Sequence, residues 1–230
     1  NMKNTNGSNW SKWDLHLHTY YTHLNNQFNA VSEEDYINKI VDSGLKVVGL
    51  TNYFNFKDED YSLKQKLEDK GITVFMNLEL RLSYQNKEDD LCDFHIIFSD
   101  KVTEQEIREF LVELKVTVGA GKIKAKDVTD YDNGSVDFDD VINLLQESLN
   151  GKYLTGILAR GKGNSRSSSL YEKFVVESDL VIHSTDSLSN IERDFSFNLA
   201  SHFLVSNGSA KSDLLIITKR FLLAVIFSKN

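Results

Sequence analysis

The sequence predicts an α/β fold with mostly parallel strands, and three observations carry that expectation. Short apolar runs recur along the chain: Val47 to Leu50, Ile72 to Leu80, Cys92 to Phe98, Tyr153 to Leu158 and Leu180 to His183. Segments with helical periodicity, about 10–14 residues long, separate several of these runs, as βαβ units require. The 230 residues suit one large α/β domain, and a hydrophobic content of 40% is enough for its core.

Taken in order, residues 1–10 are mostly polar and are expected to form a disordered tail, with a single domain over 11–230. Residues 11–18 alternate and read as the first strand, and His23 through Asn29 read as a loop. Ser32 is placed to cap a helix whose first turn carries Glu33, Glu34 and Asp35, acids that favour its positive end. Tyr36, Ile37, Ile40 and Val41 form the apolar stripe of that helix, and Gly44 ends it. Val47 to Leu50 has the unbroken apolar character of a buried parallel strand. A second helix over 59–69 stops at Gly71, and a third strand runs from Ile72 to Leu80. The polar stretch Gln85 to Asp90 leads into a fourth strand, Cys92 to Phe98, and a helix over 103–115 follows. Gly119 to Asn133, rich in Gly, Lys and Asp, reads as loop. Asp137 to Asn150 is amphipathic, with Val141, Ile142, Leu144, Leu145 and Leu149 inward. Strand Tyr153 to Leu158, a helix over 168–177 and strand Leu180 to His183 complete the alternation, and His202 falls in a helical pattern. Leu214 to Phe227 is apolar but contains Lys219 and Arg220, too short and too charged for a membrane span. It is expected to be a divergent end or the stump of a longer protein, with 206–230 as the divergent or truncated part.

Composition narrows the function classes. The formal charge is −8, with 34 acids against 26 bases, which argues against a surface that coats nucleic acid, since such binding uses Lys and Arg to neutralise phosphates. A local basic pocket remains compatible with it, and acidic clusters suit hard-metal sites. The single Cys92 excludes an internal disulfide framework and a Cys-rich zinc site. A reduced, cytoplasmic setting is the simplest expectation, and the polar residues 1–12 carry no secretory signal pattern. There is no proline, where average usage would give roughly ten, and no physical account of that emerges.

The chemistry concentrates at strand ends, where parallel α/β folds place their sites. In Trp13-Asp14-Leu15-His16-Leu17-His18-Thr19 a period of two puts His16 and His18 on one face and Leu15 and Leu17 on the other. Two neighbouring imidazoles on a rigid strand can grip one metal ion, although exposed histidines on a half-buried strand give the same pattern. Glu79 closes the third strand, where a carboxylate can bridge ions or simply end a strand. His95, inside the apolar Asp93-Phe94-His95-Ile96-Ile97, must find a partner, either a core hydrogen bond or a metal. His183 ends a strand and precedes Asp186, itself a ligand or a helix cap. The run Arg160-Gly161-Lys162-Gly163-Asn164-Ser165-Arg166 joins a strand to a helix. Its glycines allow close backbone approach, and Arg160, Lys162 and Arg166 favour an anion, so it reads either as a phosphate-binding loop or as a solvated one. Gly119-Ala120-Gly121-Lys122 lacks the spacing and the following Ser or Thr of a Walker A motif.

Trp-Asp-Leu-His-x-His-Thr resembles motif I of the PHP (polymerase and histidinol phosphatase) domain, and more narrowly the PHP domains that open TrlF-type, ATPase-linked bacterial proteins. The resemblance spans about residues 10–205. It implies a distorted (β/α)7 barrel, up to three Mn, Zn or Fe ions at the C-terminal strand ends, and phosphoester hydrolysis. It implies His16, His18, Glu79, His95 and His183 as metal ligands, and Glu79 and His183 as catalytic positions. Three places depart from the family. Motif II, usually Thr-Asp-His, here reads Thr51-Asn52-Tyr53, where Asn52 can offer only a neutral amide oxygen and a tyrosine replaces an imidazole. Arg160 stands where a further histidine is expected, and no closing Asp-x-His follows residue 205. About half of the family's ligand positions remain, so fewer than three ions are expected.

Two functions from different classes follow. The first is a metal-dependent phosphoesterase acting on a phosphorylated small molecule, a nucleotide or a nucleic-acid end. The second is a catalytically degenerate PHP domain that binds a phosphorylated ligand or serves as the interaction module of a C-terminal ATPase domain outside this chain. An amidohydrolase-like barrel shares the HxH, but its later His/His/Asp set is not found in the right order.

Overall fold

The computed structural model describes residues 12–85, 91–160, 173–174, 176–185 and 202–205. The chain divides into two compact units. Asn1–Glu79, Ile96–Gly134 and Val141–Tyr153 form the first, and Leu80–His95, Ser135–Asp140 and Leu154–Asn230 form the second.

The first unit opens with strand β1 (Lys12–His18), helix α1 (Glu33–Asp42), strand β2 (Leu45–Tyr53), helix α2 (Asp58–Asp69) and strand β3 (Thr73–Gln85). β2 lies between β1 and β3 and pairs with both in parallel. That central place explains its apolar run, since Val48 and Leu50 are fully buried. α1 starts where Ser32 predicts. The Ser32 hydroxyl accepts from Asp35 N–H at 3.1 Å and the Asp35 carboxylate reaches back to the cap, a capping box. Tyr36, Ile37 and Ile40 face inward as expected, but Val41 is 38% exposed and lies outside the stripe.

Strand β4 (Leu91–Phe98) leads to helix α3 (Glu104–Glu113), capped by Thr103 with Glu106 in a second capping box. Residues 115–118, at and just beyond the end of the helix expected over 103–115, and the first part of the expected loop then contribute strands. Strands β5 (Lys115–Val118) and β6 (Gly121–Lys124) form an antiparallel hairpin that pairs Val118 with Gly121. Gly119 starts the two-residue turn at φ +58, a conformation that suits glycine. The Gly and Lys content of the expected loop masked Ile123, and the β-branched Val116, Thr117 and Val118 just before that loop make the partner strand. A short strand β7 (Gly134–Ser135) follows in the order β6-β5-β7, and helix α4 (Phe138–Leu149) buries Val141, Leu145 and Leu149.

In the second unit, strands β8 (Tyr153–Arg160), β9 (Leu180–Thr185) and β10 (His202–Val205) pair in parallel, β9 in the middle. Strands β3 and β4 run through both units, and the order continues β3-β4-β8-β9-β10. Phe94, Phe138 and Phe174 pack ring against ring in this unit, at 5.5 Å and 4.7 Å between centroids. The α/β class with a mostly parallel sheet therefore holds, and among the described residues the sheet is not closed.

Three expectations are corrected. β3 does not stop at Leu80 but runs to Gln85, because the alternation continues with Leu82 buried and Ser83 exposed. Glu79 therefore lies within a strand rather than at its end. His202 begins a strand instead of sitting in a helix, as short apolar runs are ambiguous by period alone. Of the expected helix over 168–177, residues 173–174 and 176–177 are helical. The expected tail over 1–10 and the apolar stretch 214–227 lie outside the described residues. No helix among the described residues is long and apolar enough to cross a membrane.

Candidate metal centre

The first unit brings three of the predicted residues together. The ligand atoms of His16 and His18 on β1 and of Glu79 on β3 all lie within 4.8 Å of one another. Glu79 Oε2 is 3.1 Å from His16 Nε2 and 3.8 Å from His18 Nε2. Parallel pairing sets this geometry. His18 is the last residue of β1 and faces Thr51 of β2, while Tyr53, the last residue of β2, faces Glu79 of β3. The group thus sits level with the carboxyl ends of β1 and β2, the end where α/β sheets bind their ligands.

An irregularity in β1 aims the histidines. The register passes from Asp14↔Val48 to Leu17↔Leu50, so β1 carries one extra residue against β2, as in a bulge. The His16 N–H donates to Asp14 Oδ1 at 3.0 Å. Asn77 Nδ2 donates to the Leu15 carbonyl at 2.8 Å and to Thr51 Oγ1 at 3.1 Å, tying all three strands at the bulge. The His18 carbonyl accepts from the Tyr36 hydroxyl at 2.7 Å, which fastens the end of β1 to α1.

A buried polar network lies beyond the strand ends. Asp60 is fully buried and accepts three hydrogen bonds, from Thr19 Oγ1 at 2.6 Å, Asn52 Nδ2 at 2.8 Å and Lys57 N–H at 2.8 Å. Burial pushes its pKa above the ordinary aspartate value, against the pull of those donors. Asn52 Oδ1 accepts from the N–H groups of His23 and Tyr53, both at 2.9 Å. Each polar atom of the Asn52 amide is thus committed to the scaffold, so Asn52 is not the open amide-oxygen ligand its position suggested. The Tyr53 ring stacks on His18, with centroids 5.2 Å apart and planes at 21°. His23 stacks on Tyr131 at 4.1 Å, and its pKa is lowered to about 4, first by burial and then by the Lys57 charge.

The donor set suits a divalent ion of the Zn, Mn or Fe kind. Two imidazoles and one carboxylate make three protein ligands and leave positions for water or substrate. Burial holds the His18 pKa below the ordinary value, more strongly than Glu79 raises it, and so favours the neutral, ligating imidazole. Glu79 is 3% exposed, and a carboxylate at that depth calls for cationic partners.

The other predicted residues fall in the second unit or outside the described residues. His95, on β4, is fully buried, as its apolar strand implied. Arg160 ends β8 beside β9, where Ala159 pairs with His183 and Arg160 with Ser184. Lys162, Arg166 and Asp186 lie outside the described residues. Sequence reasoning missed the parts of Asn77 and Asp60, and it saw Thr19 only as the end of the first motif. Asn77 had a signal, since two residues before Glu79 on a strand puts it on the same face. The pairing of Thr19 with Asp60 had none, because it is long-range.

No protein-family model matches the chain, and no curated protein matches it. Among solved structures, the chain is similar to a protein of Bifidobacterium adolescentis described as a candidate metal-dependent phosphoesterase. The TM-score is 0.48 and the identity 13%, over 81% of this chain and 82% of that chain.

Proposed function

We propose that this chain is a metal-dependent phosphoesterase of the PHP type, with one divalent ion held by His16, His18 and Glu79. What carries the reading is the convergence of two imidazole nitrogens and a buried carboxylate within 4.8 Å. When bound, such an ion supplies Lewis acidity toward a phosphoryl oxygen and lowers the pKa of a water it binds. Glu79 supplies the negative charge that balances the ion, and burial keeps His18 in its ligating form. His18 is the open side of the group, its side chain 31% exposed against 10% for His16, so a substrate approaches past His18. The wider ligand set with His95 and His183, the catalytic part of His183, phosphate binding by Arg160, Lys162 and Arg166, and closure of the sheet as a (β/α)7 barrel belong to the same proposal.

A second reading has one observation in its favour. The engagement of Asn52 with Asp60, His23 and Tyr53 removes a motif II ligand, which fits a PHP-shaped module that binds a phosphorylated ligand without hydrolysing it. Metal content separates the two. Protein purified without chelator is expected to carry about one ion per chain, lost in His16→Ala/His18→Ala, and to hydrolyse a general phosphoester such as p-nitrophenyl phosphate or its bis-ester. An ion without turnover would favour the binding module. No ion after reconstitution with Mn, Zn or Fe would refute the metal reading.

A further inference from the structure

We infer that Tyr53 is a positioning residue that sets the ring plane of His18 for metal binding; this rests on the metal reading above. A ligating histidine ordinarily has its orientation set by a hydrogen bond from its second ring nitrogen to a carboxylate, carbonyl or water. His18 lacks that support among the described residues: Nε2 faces Glu79, and the buried Nδ1 has no hydrogen-bond partner there. A nearly parallel aromatic ring occupies one face of the imidazole instead, the Tyr53 ring at 5.2 Å and 21°. Stacking fixes the ring plane by contact, where a hydrogen bond would fix it by direction.

Tyr53 is well held for this part. It is 5% exposed and ends β2 opposite Glu79, so the support and a ligand share one register pair. Its N–H donates to Asn52 Oδ1 at 2.9 Å. The next residue, Phe54, has φ +57, donates its N–H to the Glu79 carbonyl at 3.0 Å and is fully buried. The Asn55 N–H closes back on the Tyr53 carbonyl at 2.6 Å, which makes a tight turn at the strand end. A left-handed, bulky residue persists only where its surroundings impose it. This turn therefore fixes where the Tyr53 side chain leaves the strand. The position that the family resemblance assigns to a metal-binding histidine here carries the flat side chain that orients one.

The test measures Zn(II) and Co(II) binding to wild type, Tyr53→Phe, Tyr53→Leu and Tyr53→Met by calorimetry and by the Co(II) d–d absorption bands, with the Tm of each metal-free protein. Tyr53→Phe keeps the ring and is expected to bind within about twofold of wild type, with the same bands. Tyr53→Leu and Tyr53→Met remove the flat face and are expected to weaken binding about tenfold or more and to change the bands, the scale on which lost ligand support acts. The Met variant covers the case in which the Leu variant does not fold. A folded Leu or Met variant with wild-type affinity and bands would overturn the inference alone, and so would a Phe variant as weak as these two. A wild type that binds neither metal would overturn the metal reading, and this inference with it.

Discussion

Gly49 of β2 lies directly beneath the backbone of Leu15 in β1, so close that a Cβ on Gly49 would stand 2.1 Å from the Leu15 carbonyl oxygen. The bulge of β1 creates this approach, since its extra residue presses the Leu15 peptide toward β2. The same carbonyl accepts from Asn77 Nδ2 at 2.8 Å. Neither backbone can yield without moving His16, the next residue. Gly49→Ala is therefore expected to destabilise the protein by about 2–3 kcal/mol, the upper range for overpacking against backbone. It should also weaken metal binding without touching a ligand. Urea unfolding of the metal-free protein and Zn(II) calorimetry on the same samples would check both effects. A variant as stable as wild type would show that the close approach is not rigid.

Removing the Glu79 carboxylate tests the centre from its buried side. Glu79→Gln keeps the volume but removes the charge that faces His16 and His18 at 3.1 and 3.8 Å. An ion that binds only the folded state stabilises it by about 2.7 kcal/mol at one hundred times its dissociation constant. Wild type should thus gain several degrees of Tm on adding Zn(II) or Mn(II) and lose them to chelator. Glu79→Gln should gain far less at the same concentration. Equal metal-induced shifts in the two proteins would remove Glu79 from the ligand set.

The parts of this site that could be read from the sequence are those with a local signature. His16 and His18 stand two apart on a strand, and Glu79 follows an apolar run; periodicity reaches both. The bulge could not be read, because it is a mismatch between β1 and β2, and a single strand's pattern carries no register. Asp60 is one of three acids in the first turn of α2, a pattern that by itself marks only a helix-dipole feature. Its burial depends on Thr19 and Asn52, placed by other elements. Overruns of pattern explain the fold-level misses. β3 carries its alternation past Leu80 to Gln85, and the β5–β6 hairpin hides Ile123 behind glycine and lysine.

Asp60 gives a stability prediction with a definite sign. Its three donors, Thr19 Oγ1, Asn52 Nδ2 and Lys57 N–H, would be left without an acceptor in Asp60→Ala. A loss of about 3 kcal/mol or more is expected, since stranding buried donors carries their desolvation cost. Asp60→Asn keeps one acceptor oxygen, and the Thr19 hydroxyl can turn to accept from the new amide. A smaller loss, about 1 kcal/mol, is expected there. Because the folded-state pKa is raised, the native state holds the proton more tightly than the unfolded chain. That contribution is complete below the ordinary aspartate value of 3.8 and is lost as pH rises through the raised pKa. The Asn variant lacks it, so its deficit relative to wild type should shrink as pH rises from about 4 toward neutrality. Urea midpoints of the two proteins across that range would check the trend, and a deficit that grew with pH would contradict it.

His23 carries the opposite sign in a neighbouring window. Burial and the Lys57 charge depress its pKa to about 4, so the folded state resists the proton that the unfolded chain accepts near 6.5. Its contribution is complete above 6.5 and is lost as pH falls toward about 4. His23→Phe preserves a flat ring for the 4.1 Å stack on Tyr131 but cannot titrate. The buried His23 Nε2 has no hydrogen-bond partner among the described residues, so a CH there strands nothing, but the ring's hydrogen bonds to Asn55 are lost. The variant should lie about 1 kcal/mol below wild type at pH 7, and that deficit should shrink or reverse as pH falls to 4–5. Paired unfolding curves at pH 7, 6, 5 and 4 decide the matter, because they cancel every other titrating group the two proteins share. Parallel curves across the series would mean that His23 is protonated as easily folded as unfolded. The Tyr131 stack would then be an open surface contact and not part of the buried layer beside Asn52.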